Sequence, residues 1–180
     1  YVIPLRFKQG LAYMPIRPYS NEEWKRLPHI ILTSNEDWDP SKMDHHVGDY
    51  FGNTINRGAN GGIAGENVRV ISRTDRTVNV TGVDNHQITN LQIVTASGVV
   101  PTQRGEVIAI LHRYAHNPMG KTIHSSIQLE HFKNAVVDRS SKIKGATQSI
   151  RTLDGYVIPL RFKQGLAYMP IRPYSNEEWK

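Results

Sequence analysis

Residues 48–65, Gly48-Asp49-Tyr50-Phe51-Gly52-Asn53-Thr54-Ile55-Asn56-Arg57-Gly58-Ala59-Asn60-Gly61-Gly62-Ile63-Ala64-Gly65, hold the densest glycine cluster of this chain. Glycines let a backbone turn tightly and approach a ligand, so a phosphate cradle is the first chemistry to test. Neither GxxxxGK followed by Ser or Thr, nor GxGxxG leading into a helix, is present, which argues against a nucleotide site. Asp44-His45-His46 raises a metal site. Adjacent residues diverge on a helix and no third ligand stands at matching spacing, so solvated polar side chains account for them and no metal is expected. The absence of cysteine removes disulfides, thiolate metal sites and Cys nucleophiles together, and leaves the compartment open. Asn79-Val80-Thr81 makes Asn79 a glycosylation candidate in a secreted protein only. Gly58 and Gly61-Gly62 permit a tight loop after Asn56 whatever chemistry it carries.

The elements around this loop include one that is duplicated. Residues 1–25 recur without a change as residues 156–180, an offset of 155 residues. That is the length of a domain rather than of a solenoid unit. Each copy reads as a β-hairpin. Tyr1, Ile3, Leu5 and Phe7 alternate with Val2, Pro4, Arg6 and Lys8, Gln9-Gly10 turns the chain, and residues 11–16 return. Pro4 and Pro15 cannot donate to a ladder, so each strand has an edge on at least one side. Ser20 with Glu23 forms a capping-box pattern for a short helix through Trp24, stopped before Pro28. A domain that buries one such hairpin has room for one, and identical copies have the same intrinsic affinity for that room. If the C-terminal copy completes the domain, the N-terminal copy is either a frayed edge or part of a preceding or neighbouring unit, in the manner of strand donation. The alternative is a sequence that merely overlaps two copies of a repeat.

With 180 residues, 38% of them hydrophobic, the chain is expected to form one domain with a real core. It has no apolar run long enough to span a bilayer, no signal-peptide pattern at Tyr1 and no initiator Met, which predicts an internal or processed terminus within something longer. The net charge is +6, and each copy of the hairpin contributes +2, so one copy fewer leaves +4. That excess is scattered as single Lys and Arg residues without an aromatic ladder, which gives nucleic-acid binding little support.

Taken in order, residues 27–33 form a strand-like apolar run, and Asp39 with Pro40 starts a short helix expected over residues 41–46. Residues 68–80 read as two strands around a polar turn at Thr74-Asp75-Arg76, and further short strands follow at 91–95, 98–100 and 106–111. Close spacing of short strands is the signature of a barrel or sandwich. Helical spacing appears over residues 122–132, where Ile123 and Ile127, then Leu129 and Phe132, can face a core. Asp154-Gly155 turns the chain into the second hairpin.

Several spaced motifs carry a resemblance. They are Ile55-Asn56-Arg57-Gly58-Ala59-Asn60-Gly61-Gly62-Ile63-Ala64-Gly65, Gly82-Val83-Asp84-Asn85-His86 with the strands over 99–110, Thr122-Ile123-His124-Ser125-Ser126-Ile127-Gln128-Leu129, and Asp154-Gly155-Tyr156-Val157-Ile158-Pro159-Leu160 with Gly165-Leu166-Ala167-Tyr168. In this order they resemble the retropepsin-like protease region of Pol polyproteins from copia-type LTR retrotransposons, particularly those of algae and similar protists. The likeness runs from about Ile55 to Pro173, and through residues 27–40 when the repeat is unrolled. In that family an apolar strand runs into Asp-Ser/Thr-Gly-Ala, or in some members Asp-Arg-Gly-Ala-Asn-Gly-Gly. The chain matches the second form except at the first catalytic position, where Asn56 stands.

Aspartic proteases use two carboxylates that share one proton. An amide cannot take a proton from water, and a symmetric dimer of this chain would hold two amides and no carboxylate. Asp49, Asp84 and Asp154 lie outside the motif. Asn56 has three accounts: loss of catalysis in a domain kept for its shape, a knockout introduced into a working protease, or a turn asparagine in a domain that only looks like this family.

The expectation is therefore a mainly β fold, a small retropepsin-like closed barrel with one or two short helices and terminal β-hairpins. Residues 1–25 would be a hairpin belonging to a neighbouring unit, 26–47 a connecting strand, loop and short helix, and 48–180 the retropepsin-like domain with the second hairpin. No residue is expected to be catalytic; Asn56, Arg57, Gly58 and Ala59 occupy the family's catalytic-loop positions. Tyr1, Ile3, Leu5, Phe7, Leu11, Tyr13 and Trp24 are the candidate assembly residues, apolar surface that would be a liability on a monomer. The expected partners are copies of the chain itself, head to tail, with no membrane, cofactor or small-molecule ligand. The rival expectation is an aspartic endopeptidase of a retroelement polyprotein, a homodimer silenced at Asn56. The first suits an extracellular assembly as well as any other compartment, the second the cytoplasm.

Overall fold

The structure, a computed structural model, describes residues 6–9, 11–13, 25–35, 38, 43–44, 54–82 and 85–180. The chain is mainly β with two short helices among the described residues. Three long strands form its centre: β7 (Arg69–Thr81), β8 (Gln87–Thr102) and β9 (Gly105–His116), paired antiparallel in that order. β8 and β9 are joined by a two-residue turn in which Thr102 pairs with Gly105. Gly105 takes φ +103°, a conformation that side chains resist.

β9 pairs with β8 on one side and divides its other side between two parallel strands. Its first half takes β3 (His29–Thr33), and its end takes β6 (Ile63–Ala64). β3 alternates as a strand with one face on a core must: Ile30 and Leu32 are buried, and Ile31 is 64% exposed. Beyond β6 the sheet continues through β10 (Ile123–Ser125) and β5 (Thr54–Asn56) to β15 (Leu166–Tyr168) and β14 (Arg161–Lys163), while β4 (Met43–Asp44) closes the far side on β7. A separate sheet joins β11 (Ala135–Val137), β12 (Ser149–Arg151) and β13 (Val157–Pro159). The helices are α1 (Ser126–His131) and α2 (Asn176–Trp179).

The expected closed barrel is not found. Among the described residues the large sheet is an open path with β14 and β4 at its ends. The second hairpin does not carry one continuous ladder around a barrel: β13 ends at Pro159. Its first strand is divided there into β13 and β14, which join different sheets. Thr74-Asp75-Arg76 is not a turn either. β7 runs through it, and the register shifts between Arg73↔Val94 and Thr77↔Gln92, so these polar residues are extruded as a bulge. Thr74 Oγ1 donates to Ile93 O and accepts from Arg76 N–H, which satisfies groups the ladder drops. Met43 and Asp44, expected in a helix, pair in parallel with Val80 and Thr81. The helix expected over 122–132 starts later, because Ile123–Ser125 is needed as a strand between β5 and β6; Ile127 is then 47% exposed.

The two hairpin copies are treated differently by this architecture. β14 and β15 pair Arg161↔Tyr168, Phe162↔Ala167 and Lys163↔Leu166; β1 (Arg6–Lys8) and β2 (Leu11–Tyr13) pair Arg6↔Tyr13, Phe7↔Ala12 and Lys8↔Leu11, the same register. Gln9 and Gln164 both take positive φ, 52° and 49°. The C-terminal copy is built into the core: Ile158 and Met169 are 0% exposed, and Leu160, Ala167, Ile171 and Tyr174 are also buried. Backbone bonds fix it, with Val99 and Arg172 exchanging N–H···O at 2.7 and 3.0 Å and Leu160 N–H donating to Gln148 O at 2.8 Å. The N-terminal pair β1–β2 forms a sheet of its own, and Ala12, twin of Ala167, is exposed.

Gly98, read from sequence as the start of a strand, lies inside β8 where the C-terminal copy crosses it. A Cβ at this position would fall 2.5 Å from Ile171 Cγ1 and 3.0 Å from Arg172 O. Gly98→Val is expected to destabilise the domain by about 1–3 kcal/mol, the usual range for overpacking. Urea denaturation measures this, and an unchanged midpoint would show that the C-terminal copy does not press on β8.

Candidate functional site

The loop that follows Asn56 is held in place by the strand it crosses. β10 pairs parallel to β5 (Ile123↔Thr54, His124↔Ile55, Ser125↔Asn56) and antiparallel to β6 (Ile123↔Ile63). Residues 57–62 therefore bridge two strands that share one neighbour. All three residues of β5 are buried, Asn56 at 3% exposure. Asn56 Oδ1 accepts the Gly58 N–H at 2.7 Å, the side-chain-to-backbone closure by which Asn shapes a turn. Ser125, the N-cap of α1, donates through Oγ to Ala59 O at 2.6 Å and accepts from Gln128 N–H at 3.1 Å. Gln128, fully buried, accepts the Gly62 N–H at 2.9 Å and donates to the carbonyls of His112 and Arg113. A Cβ on Gly62 would sit 2.2 Å from the Tyr114 ring.

Arg57 leaves the loop outward. Its Nε donates to both carboxylate oxygens of Asp138 at 3.0 Å, and its Nη2 reaches Glu130 Oε1 and Val136 O, each at 3.1 Å. Two depressions flank it. One of about 650 Å³ lies against Glu130, Asp138, Arg139 and Lys144. The other, about 230 Å³, is lined by residues 54–58, Asp138 and residues 165–167 of the C-terminal hairpin. Asp138 is the carboxylate of that lining, and it is engaged by Arg57. Asn56 is among the lining residues, and its amide neither abstracts nor supplies a proton in the physiological range.

Behind the loop, Tyr114 and His124 are fully buried, Tyr114 Oη lying 3.1 Å from His124 Nδ1. His124 Nε2 has no hydrogen-bond partner among the described residues. Burial holds the His124 imidazole neutral, with its pKa pushed down to about 3. Burial also lowers His112, helped by Arg113, and His116, helped by Arg73.

Of the residues singled out from sequence, Asn56, Arg57, Gly58 and Ala59 come together in this loop. Ser125, Gln128, Glu130 and Asp138, which hold the loop and its arginine, carried no signal of that role. Asp154 accepts the Thr152 hydroxyl at the turn into the second hairpin, and Asp49 and Asp84 lie outside the described residues. Asn79 is exposed on β7, where its Oδ1 accepts the Asn90 N–H at 3.0 Å, and Thr81 of the same sequon is buried. That is a strand setting rather than the surface loop usual for glycosylation. Tyr1, Ile3, Leu5 and Trp24 lie outside the described residues, and for Phe7, Leu11 and Tyr13 the backbone alone is described. Their C-terminal twins divide: Ile158 and Leu160 are buried, Tyr156, Leu166 and Tyr168 are half-buried, and Phe162 is exposed. Trp179, twin of Trp24, stacks on Tyr174 and packs against His29.

No group of three His, Asp or Glu side chains among the described residues could hold a metal ion, and no helix there is long and apolar enough to cross a membrane. Neither a protein-family model, a curated protein nor a solved structure matches the chain.

His124 makes stability pH-dependent. Its folded pKa, about 3, lies below the ordinary 6.5, so its contribution is whole above pH 6.5 and falls as the pH drops from there toward 3. The expected loss is about 1.4 kcal/mol per pH unit from this residue, with His112 and His116 acting in the same direction. Chemical denaturation at pH 7 and pH 5 checks it: His124→Gln should flatten the slope, and an unaltered slope would contradict the assignment.

Proposed function

We propose that the chain is a catalytically silent, retropepsin-like domain that joins copies of itself head to tail through the duplicated hairpin. One observation carries this: identical sequences are treated unequally, the C-terminal copy filling the core while Ala12 of the N-terminal copy is exposed and β1–β2 pairs with no other described strand. A second ribbon of the sequence that the domain buries can be donated to a second molecule, where it displaces that molecule's own copy. Such a contact is heterologous, and it yields an open filament unless the rotation between units closes a ring. The Asn56 amide at the loop, with Arg57 tied to Glu130 and Asp138, supports the silent half of the proposal. Sedimentation across a concentration range tests the assembly: mass should rise stepwise in multiples of the chain, and one protomer at every concentration would contradict it.

A second reading is favoured by the depression beside Asn56, which opens at the position where the resembling proteases carry Asp. The chain would then be a homodimeric aspartic endopeptidase with its carboxylate replaced. Incubation with an unfolded polypeptide at mildly acid pH separates the two. The parent should cleave nothing; cleavage by Asn56→Asp would place the chain in the protease lineage, and cleavage by the parent would overturn the silent reading.

A further inference from the structure

Residues 26–33 are docked as though they followed Lys180 rather than Lys25. The Leu27 N–H donates to Glu178 O at 3.0 Å. Glu178 is the twin of Glu23, which stands four residues before Leu27, so this is the i to i−4 bond of a helix, made to the other copy. Lys25 Nζ reaches Glu177 at 2.9 Å, and Glu177 stands three residues before Lys180, the twin of Lys25. The His29 ring lies 4.5 Å from that of Trp179, and Leu27 and Trp179 pack on the same cluster of Val99, Ile108, Ile110 and Tyr174. The domain thus has one place for this ribbon and two covalent entrances to it. Residues 156–180 enter from Thr152 through the Gly155 turn, where Thr152 N–H donates to Tyr156 O at 2.9 Å. Residues 1–25 would enter from β3 through the Lys25–Arg26 peptide bond, with no linker to span.

We propose that the two copies are mutually exclusive occupants of this site within one chain, so that the domain closes in either of two frames. One frame is residues 26–180, as seen here; the other is residues 1–155, with the C-terminal copy released. Side-chain contacts are the same in both because the sequences are the same. The frames differ only at their open junctions, between Lys180 and Arg26 in one and between Gly155 and Tyr1 in the other. Both ribbons are tethered beside the site, so their effective concentrations there exceed ordinary protein concentrations. In either frame the inserted hairpin supplies the wall of the depression beside Asn56, and the released one is free for a neighbour. The exchange needs no second molecule, and its test stands apart from that of the assembly.

The full chain with Ile158→Asp, with Ile3→Asp, and with both tests it by thermal unfolding. Ile158 is fully buried, so a carboxylate there evicts whichever copy carries it. Each single variant should keep a cooperative transition, because the intact copy takes the site, and the double variant should lose it. A transition in Ile158→Asp equal to that of the double variant would overturn the proposal. So would a midpoint of Ile158→Asp that climbs with protein concentration, since the hairpin would then come from another chain, a result that leaves head-to-tail assembly standing.

Discussion

Everything in this molecule depends on the closing of one core by one 25-residue ribbon. The ribbon covers part of the inner faces of β8, β9 and β12. Ile158 on β13 lies opposite Ile150 on β12, Ile171 meets β8 at Gly98, and Tyr174 clusters with Val99 and Ile108. Large apolar side chains of this kind are worth about 1.5–3 kcal/mol each on burial. Ile158, Leu160, Met169, Ile171 and Tyr174 together amount to roughly the whole stability of an ordinary domain. A second identical ribbon competes for the same site or is used elsewhere.

The same ribbon shapes the loop that would carry chemistry. β15 pairs with β5 at Tyr168↔Thr54, and residues 165–167 wall the depression in front of Asn56. From the other side α1 and its N-cap hold the loop by two hydrogen bonds, Ser125 Oγ to Ala59 O and Gly62 N–H to Gln128 Oε1. Asn56, at the start of the loop, is buried and closes on the Gly58 N–H. The loop's geometry serves the packing of β5, β6 and β10, the strands it joins and the one between them.

What could be read from sequence was whatever depends on local chemistry. The capping box holds in the second copy: Ser175 Oγ accepts the Glu178 N–H, and Glu178 accepts the Ser175 N–H at 2.7 Å. The Gly155 turn and the strand over residues 29–33 follow the same local rules. The failures come where the partner decides. Thr74-Asp75-Arg76 has the composition of a turn and of a bulge alike, and only the length of β8 opposite it chooses the bulge. Ile123 and Ile127 satisfy helical spacing, but the gap between β5 and β6 demands a strand at Ile123. Gln128 and Asp138 acquire their roles only when the fold brings residues about seventy to eighty apart in sequence together, as with Gln128 and Gly62 or Asp138 and Arg57. The duplication was legible in full, because it is written in the letters themselves.

The absence of cysteine allows a direct measurement of occupancy. A spin label at Asp75, on the exposed bulge of β7, would be paired with a second label at Gln164 in one protein and at Gln9 in another, each diluted in unlabelled chain. One ribbon site shared by two copies predicts the same characteristic distance from both label pairs, with fractions that add to one. That distance in every molecule for Gln164 and in none for Gln9 would contradict it.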